Sequence, residues 1–362
     1  MKTLKLIFAS LFRNDAAMEG RFQKWYLAAI LFLLSIIISA VPLFVSATNT
    51  NGADFMDSTL YSFDVGIQNF SEALVDEDVD LIVEQDGELH KLANPNSSWE
   101  TAFPLFDREG GIDFHYYEYR NHANDVKLKV YYQGAASNDD ALAFLNAKLE
   151  ATNSAETPNL TIGSFVFFGQ YSLNVFLYNP TGVAAGTVAG RDYASAMQGD
   201  YLSFEVNTNI KQLGTIDQFG NPIERPTPTS TGLEFAEYQE KILKNWEIFL
   251  DEAYSNIKVR NVWFTTGTIL AINSILGVFM GLLVFVMTRG KTNPNRTMTF
   301  LEAYKITGWL LLSPAIISLI VGFIFPNYAS MAFVLLVGLR MMWLSSKTLR
   351  PPMEPVKVAP KK

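Results

Sequence analysis

The 362-residue chain has no cysteine. That absence excludes a disulfide framework, a thiolate nucleophile and a cysteine-ligated metal. Charged residues are also scarce, at 18%, whereas 49% are hydrophobic, a balance that leans towards a membrane protein. No GxxxxGK[ST] or GxGxxG stands ready to cradle a phosphate, and neither HExxH nor GxSxG occurs. The basic residues border apolar runs instead of forming a groove-facing stripe, so a general nucleic-acid binder is excluded as well. Internal repeats, low-complexity tracts and useful coiled-coil heptads are missing.

What is present is strongly segregated. Residues 47–256 carry 32 acidic against 11 basic side chains, while the remainder carries 4 against 17. Four apolar runs organise the chain. A bilayer core of ~30 Å needs about 20 apolar residues in a helix, and residues 25–47 meet that without one charge. Further spans are read at 262–287, 306–325 and 329–344, the last carrying Arg340 near its end, from which its head can snorkel to the surface.

Lys and Arg near span ends favour the cytoplasmic side. They cluster in residues 1–24, in the 288–305 loop and in the 345–362 tail, which places all three inside and residues 48–256 outside. The expected fold class is therefore a membrane α-helical protein, four transmembrane helices with both termini inside. A large α+β extracytoplasmic domain lies between helices one and two. A cleaved leader ending at Val45-Ser46-Ala47 is the alternative for the first span, although the apolar run exceeds a usual leader core. Before it, Leu4, Ile7, Phe8, Leu11 and Phe12 make one helical face, suited either to the inner leaflet or to packing under the bundle.

In the 48–256 domain, helical spacing covers 58–75, weakened by Gly66, and 141–151. Strands are expected at 80–83 with 88–92 across an Asp-Gly turn, at 114–119 with 126–132, and at 160–168 with 172–178. Leu233, Ala236, Tyr238, Ile242, Leu243, Trp246, Phe249 and Leu250 form a stripe on a helix over 233–257, read as a stalk towards the second span. It either couples the domain to the membrane or merely supports it.

Few constellations carry chemistry. His115, Glu118 and His122 would share a helical face, but the segment reads as a strand, which sends His115 and Glu118 to opposite sides. The acidic run from Asp76 to Glu88 lacks the spacing of a calcium loop and reads as a solvated face. No metal, cofactor or catalytic residue is assigned. Within the spans, polar notches stand at Asn273-Ser274 and Ser313-Pro314, and Gly277 with Gly281 forms a small-residue seam; helix packing accounts for them more simply than transport does. Tyr116, Tyr117, Tyr131 and Tyr132 are candidate ligand-binding aromatics, because sugars stack on aromatic rings. Alternation puts one tyrosine of each adjacent pair in the core and leaves its neighbour on the second face. Glu302-Ala303…Gly308 matches the permease loop that contacts a transport ATPase at three positions only.

The opening Ser10-Leu-Phe-Arg…Arg21-Phe-Gln-Lys24 resembles a bacterial membrane family often labelled maltodextrin-utilisation protein MalA. So does the closing Ala303-Tyr-Lys-Ile…Ser313-Pro314…Arg340-Met-Met-Trp-Leu-Ser-Ser-Lys347…Leu349-Arg350-Pro351. The resemblance implies a multi-pass plasma-membrane protein of a Gram-positive-type bacterium, accessory to maltodextrin uptake. Two function classes follow. One is a non-enzymatic accessory or sensory membrane protein whose outer domain binds a protein partner or a ligand such as an oligosaccharide. The other is a permease-like transporter component. An exported hydrolase has only scattered acids behind it.

Overall fold

The computed structural model of the chain describes residues 2–55, 63–92, 103–109, 112–124, 126–134, 164–178, 186–188, 191–227, 230–291 and 293–349. The helices are α1 (Lys2–Phe12), α2 (Asn14–Glu19), α3 (Trp25–Asn49), α4 (Phe63–Asp76), α5 (Gly232–Met287), α6 (Phe300–Ile324) and α7 (Ala329–Trp343), the last continued by a π-helical turn, Leu344–Thr348. The chain divides into a helical unit, Met1–Asn49 with Asn261–Lys362, and an α+β unit, Thr50–Arg260. Four helices are long and apolar enough to cross a membrane, which is compatible with a membrane protein: α3, α5, α6, and α7 with its π turn.

In the α+β unit the strands are β1 (Asp80–Val83), β2 (Leu89–Leu92), β3 (Leu105–Glu109), β4 (Ile112–Arg120), β5 (Val126–Gln133), β6 (Ser164–Gly169), β7 (Ser172–Tyr178), β8 (Gly186–Val188), β9 (Arg191–Asp200) and β10 (Thr208–Asn209). Among the described residues they form a seven-stranded sheet in the order β3-β4-β5-β6-β7-β9-β8 and a smaller one, β10-β1-β2. The pairs expected from alternation form: β1 with β2, β4 with β5 in the register Tyr116 to Tyr131, and β6 with β7. The join of β5 to β6 is parallel and so requires a crossover connection. The helix expected at 141–151, in that connection, lies outside the described residues, as do 58–62 and 160–163.

Helix α4 packs on the large sheet so closely that a Cβ on Gly66 would stand 2.7 Å from Leu128 Cβ on β5. The glycine that weakens the helix by propensity is the residue that permits the contact. Phe63, Ile67, Phe70 and Leu74 of α4 share one core with Leu128, Val130, Val166 and Phe168 of the sheet. Each fully buried side chain of this size contributes about 1.5–3 kcal/mol.

The helix read as a stalk forms, and its first half is also part of the domain core. Tyr238, Ile242, Trp246, Phe249, Leu250 and Ala253 of α5 belong to that same core, so this half of α5 is built into the α+β unit. Leu233 and Ala236, at the start of the stripe, stay exposed. No break separates 257 from 262, because α5 is a single helix of 56 residues. It starts where Thr231 and Glu234 cap each other, Thr231 N–H donating to Glu234 Oε2 at 2.7 Å.

The acidic run is also more than a solvated face. Lys211 Nζ reaches Asp78 Oδ1 at 2.8 Å and Asp80 Oδ1 at 2.6 Å, and Asn209 donates to Asp80 at 2.6 Å. Burial pushes the Asp80 carboxyl up, but the hydrogen bonds from Lys211 and Asn209 and the Lys211 charge outweigh it, leaving it below the usual carboxylate range. A depressed folded-state value contributes stability that is present above the unfolded value and lost as pH falls through the folded one. Asp80→Asn is therefore expected to lower the unfolding midpoint at neutral pH by an amount equivalent to about 1 kcal/mol. The gap to the native chain should close in acid below the carboxylate range. A gap independent of pH would refute the ion-pair account.

In the helical unit α6 starts at Phe300, ahead of the apolar run, because Thr299 and Glu302 form a capping box. That gives the Glu302-Ala303…Gly308 pattern a local role: Glu302 caps, and Gly308 lets α6 approach Ala28 of α3. Of the α1 stripe, Ile7 and Leu11, joined by Leu6, pack against the bundle core, whereas Leu4, Phe8 and Phe12 remain exposed.

Candidate functional site

The α+β unit carries two adjoining concavities along the first turns of α5, of about 270 and 350 Å³, which share Glu237 and Lys241. Their walls are tied down. Asp217 Oδ1 accepts from the backbone of Phe219 at 2.9 Å and of Asn221 at 2.8 Å, closing a turn that Gly220 completes at φ +84°. The Asn221 N–H above all holds the Asp217 carboxyl below its usual range. Asn245 of α5 donates to the carbonyls of Leu213 and Ile216 at 2.9 and 2.7 Å, anchoring the segment that leads into this turn. Arg225 grips both oxygens of Asp76 and, at 2.6 Å, Glu72, fixing the other wall to α4. The turn thereby presents Phe219 at 79% exposure beside Glu237, Glu240, Lys241 and Lys244. An exposed ring edged by carboxylates and ammonium groups on a rigid frame is suited to recognition.

The aromatic pairs singled out in the sequence behave differently. Tyr116 and Tyr117 are half-buried, with Tyr117 packed on the core. Tyr131 and Tyr132 are both buried, at 1% and 7% exposure, so the second face of this pair is covered as well. The reason is that β5 is an interior strand of the large sheet with burial on both of its faces at this end. Burial pushes the phenols of Tyr117 and Tyr132 up to about 12. His115 and Glu118 lie on strand β4; the imidazole Nδ1 is 3.0 Å from the Phe103 carbonyl, and Glu118 pairs with Arg120 and Lys129.

In the helical unit, Asn273 is fully buried and donates to Ser39 Oγ of α3 at 2.9 Å, a clasp between two helices. Ser274 turns back on its own helix, donating to Leu270 O at 2.6 Å. Gly277 abuts Phe32 of α3, and Gly281 abuts Tyr304 of α6. Ser313 is half-buried and Pro314 buried. Pro314 has no N–H for the carbonyl of Leu310 one turn earlier, and Arg340 Nη1 donates to that carbonyl at 2.9 Å instead. The same guanidinium bonds Ser10 O and, at 3.4 Å, Asn14 Oδ1. The snorkelling expectation for Arg340 is thus wrong: the side chain is only 7% exposed, because α1 and α2 close over it.

No protein family, curated protein or solved structure matches this chain. The Phe219 concavities escape sequence reading because their parts come from a turn and a helix face that meet only on folding. The Asp217…Gly220-Asn221 turn chemistry was the available local signal.

Proposed function

We propose that the chain is a non-enzymatic accessory or sensory protein of the plasma membrane of a Gram-positive-type bacterium. Its α+β domain lies outside, both termini lie inside, and the Phe219 face engages a protein partner. The observation that supports this is α5. Glu237 and Lys241 of the recognition face, Trp246 of the domain core, and Met280 and Val284 of the bundle core all stand on one uninterrupted helix. A contact that shifts the first turns of such a helix has a covalent, hydrogen-bonded route into the membrane segment. Charge segregation supports the sidedness, and the likeness of the chain's ends to the maltodextrin-utilisation family supports a link to sugar uptake.

Because the chain has no native cysteine, one experiment tests both parts. Gln218→Cys and Thr297→Cys, both at exposed positions, are treated in intact cells with a membrane-impermeant thiol photo-crosslinker. Only the first should react, and illumination should yield a discrete adduct with an envelope protein. Reaction at 297 would sink the topology. Reaction at 218 without any adduct would sink partner binding at this face.

A further inference from the structure

The small-residue seam of α5 does more than bring helices together. A Cβ on Gly277 would collide with the Phe32 ring of α3, and one on Gly281 would stand 3.0 Å from Cε1 of Tyr304 on α6, so each glycine seats one aromatic ring. Tyr304 Oη donates to Val278 O at 2.9 Å, which fixes its ring. Between the rings opens an apolar groove of about 200 Å³ that Trp25, Ala29, Phe32, Val278, Tyr304 and Lys305 help to line. Trp25 and Val278 are exposed, so the groove faces the surroundings of the bundle.

Its charged end favours one sign. Lys305 lines the groove and bonds the Arg21 carbonyl at 3.2 Å, and exposed Lys24 immediately precedes Trp25. The acid in this neighbourhood, Glu302, is committed to its cap: Oε2 accepts from Thr299 N–H at 2.7 Å and from Thr299 Oγ1 at 3.0 Å. An aliphatic slot walled by aromatic rings and ending at the Lys305 ammonium group matches a molecule with a hydrocarbon tail and an anionic head. The slot is too small for a helix of another protein.

We propose that this groove seats an acyl chain of an anionic phospholipid of the cytoplasmic leaflet, with the phosphate on Lys305. The site rests on the membrane reading given above, and it adds a lipid ligand that bridges α3, α5 and α6.

Native mass spectrometry of the full chain, released from neutral detergent with equimolar phosphatidylglycerol and phosphatidylcholine of identical acyl chains, tests it. One phosphatidylglycerol should be retained with ~5-fold preference, the order expected of a single lysine–phosphate attraction at a membrane surface. Lys305→Gln should bring the preference close to parity. Ala29→Phe, which fills the slot, should abolish retention of both lipids; if that variant does not fold, Lys305→Gln alone decides. Equal retention of the two lipids by the native chain would overturn the proposal, as would a preference unchanged by Lys305→Gln. Displacement of the lipid by glycerol 3-phosphate would also overturn it, since the head alone would then be the ligand. Wrong sidedness would surface in the thiol labelling and leave this micelle measurement untouched, so the two failures are distinguishable.

Discussion

Trp246→Ala is expected to lower the thermal midpoint of the α+β unit by roughly 6–20 °C, from a loss of about 3–5 kcal/mol at ~2–4 °C per kcal/mol for a unit of this size. The indole is 1% exposed and meets Phe70, Phe168 and Phe249 at ring-centroid distances of 5.9, 6.4 and 5.5 Å. Its Nε1 also donates to Ser71 Oγ at 2.7 Å, within α4. Truncation removes the rings' shared contacts, opens a cavity between two helices and a sheet, and deletes that bond. Trp246→Phe keeps most of the volume and should cost much less, about 1–2 kcal/mol. Far-ultraviolet circular dichroism of the full chain in detergent reads both variants. A shift below ~2 °C for the alanine variant would show that this part of α5 does not hold the domain core together.

The α5 stripe illustrates what the sequence could and could not convey. The Leu233…Leu250 stripe correctly marks a helix, because period 3.6 is a property of the segment alone. Whether the stripe faces a membrane, a partner or its own sheet is decided by residues far away, here Phe70 and Phe168. The pairs β1–β2, β4–β5 and β6–β7 were legible for the same local reason: each alternates and turns within a short stretch. Strand β9 (Arg191–Asp200) was not, since Ala, Ser, Gly and Gln in its run leave little apolar period, and its place comes from pairing with β7 and β8. The four apolar helices follow from length and composition. The exposure of Tyr131 or Tyr132 did not, because alternation fixes which face a side chain takes and says nothing about what covers that face. In the sequence Phe219 is one aromatic among many; its exposure arises from a turn whose Asp217 and Gly220 are informative only once α5 is seen beside them.

The second large effect concerns Arg340. Taking a guanidinium out of water costs several kcal/mol unless its donors find acceptors, and here the acceptors arise from identifiable gaps in other helices. Ser10 O belongs to the last turn of α1, where carbonyls lack intrahelical partners and the helix dipole favours a cation. Leu310 O is freed by Pro314, and Asn14 Oδ1 takes Nε. Arg340→Met leaves all three acceptors without that donor. Against the desolvation it relieves, the net loss should be about 3 kcal/mol, with the N-terminal segment loosened from α6 and α7. Pro314→Ala restores an N–H to Leu310 O, so one of the three orphaned carbonyls is then satisfied from within α6. The methionine substitution should accordingly cost ~1 kcal/mol less in the Pro314→Ala background than in the native chain, a coupling within the range seen for residues that share a partner. Thermal midpoints of the four proteins in one detergent close the cycle. Tryptic cleavage after Arg13, exposed at the α1–α2 junction, supplies an independent measure that should accelerate in Arg340→Met. Strict additivity of the two substitutions would show that Pro314 and Arg340 act separately. The Ser313-Pro314 notch would then need another explanation than the freed carbonyl that Arg340 fills.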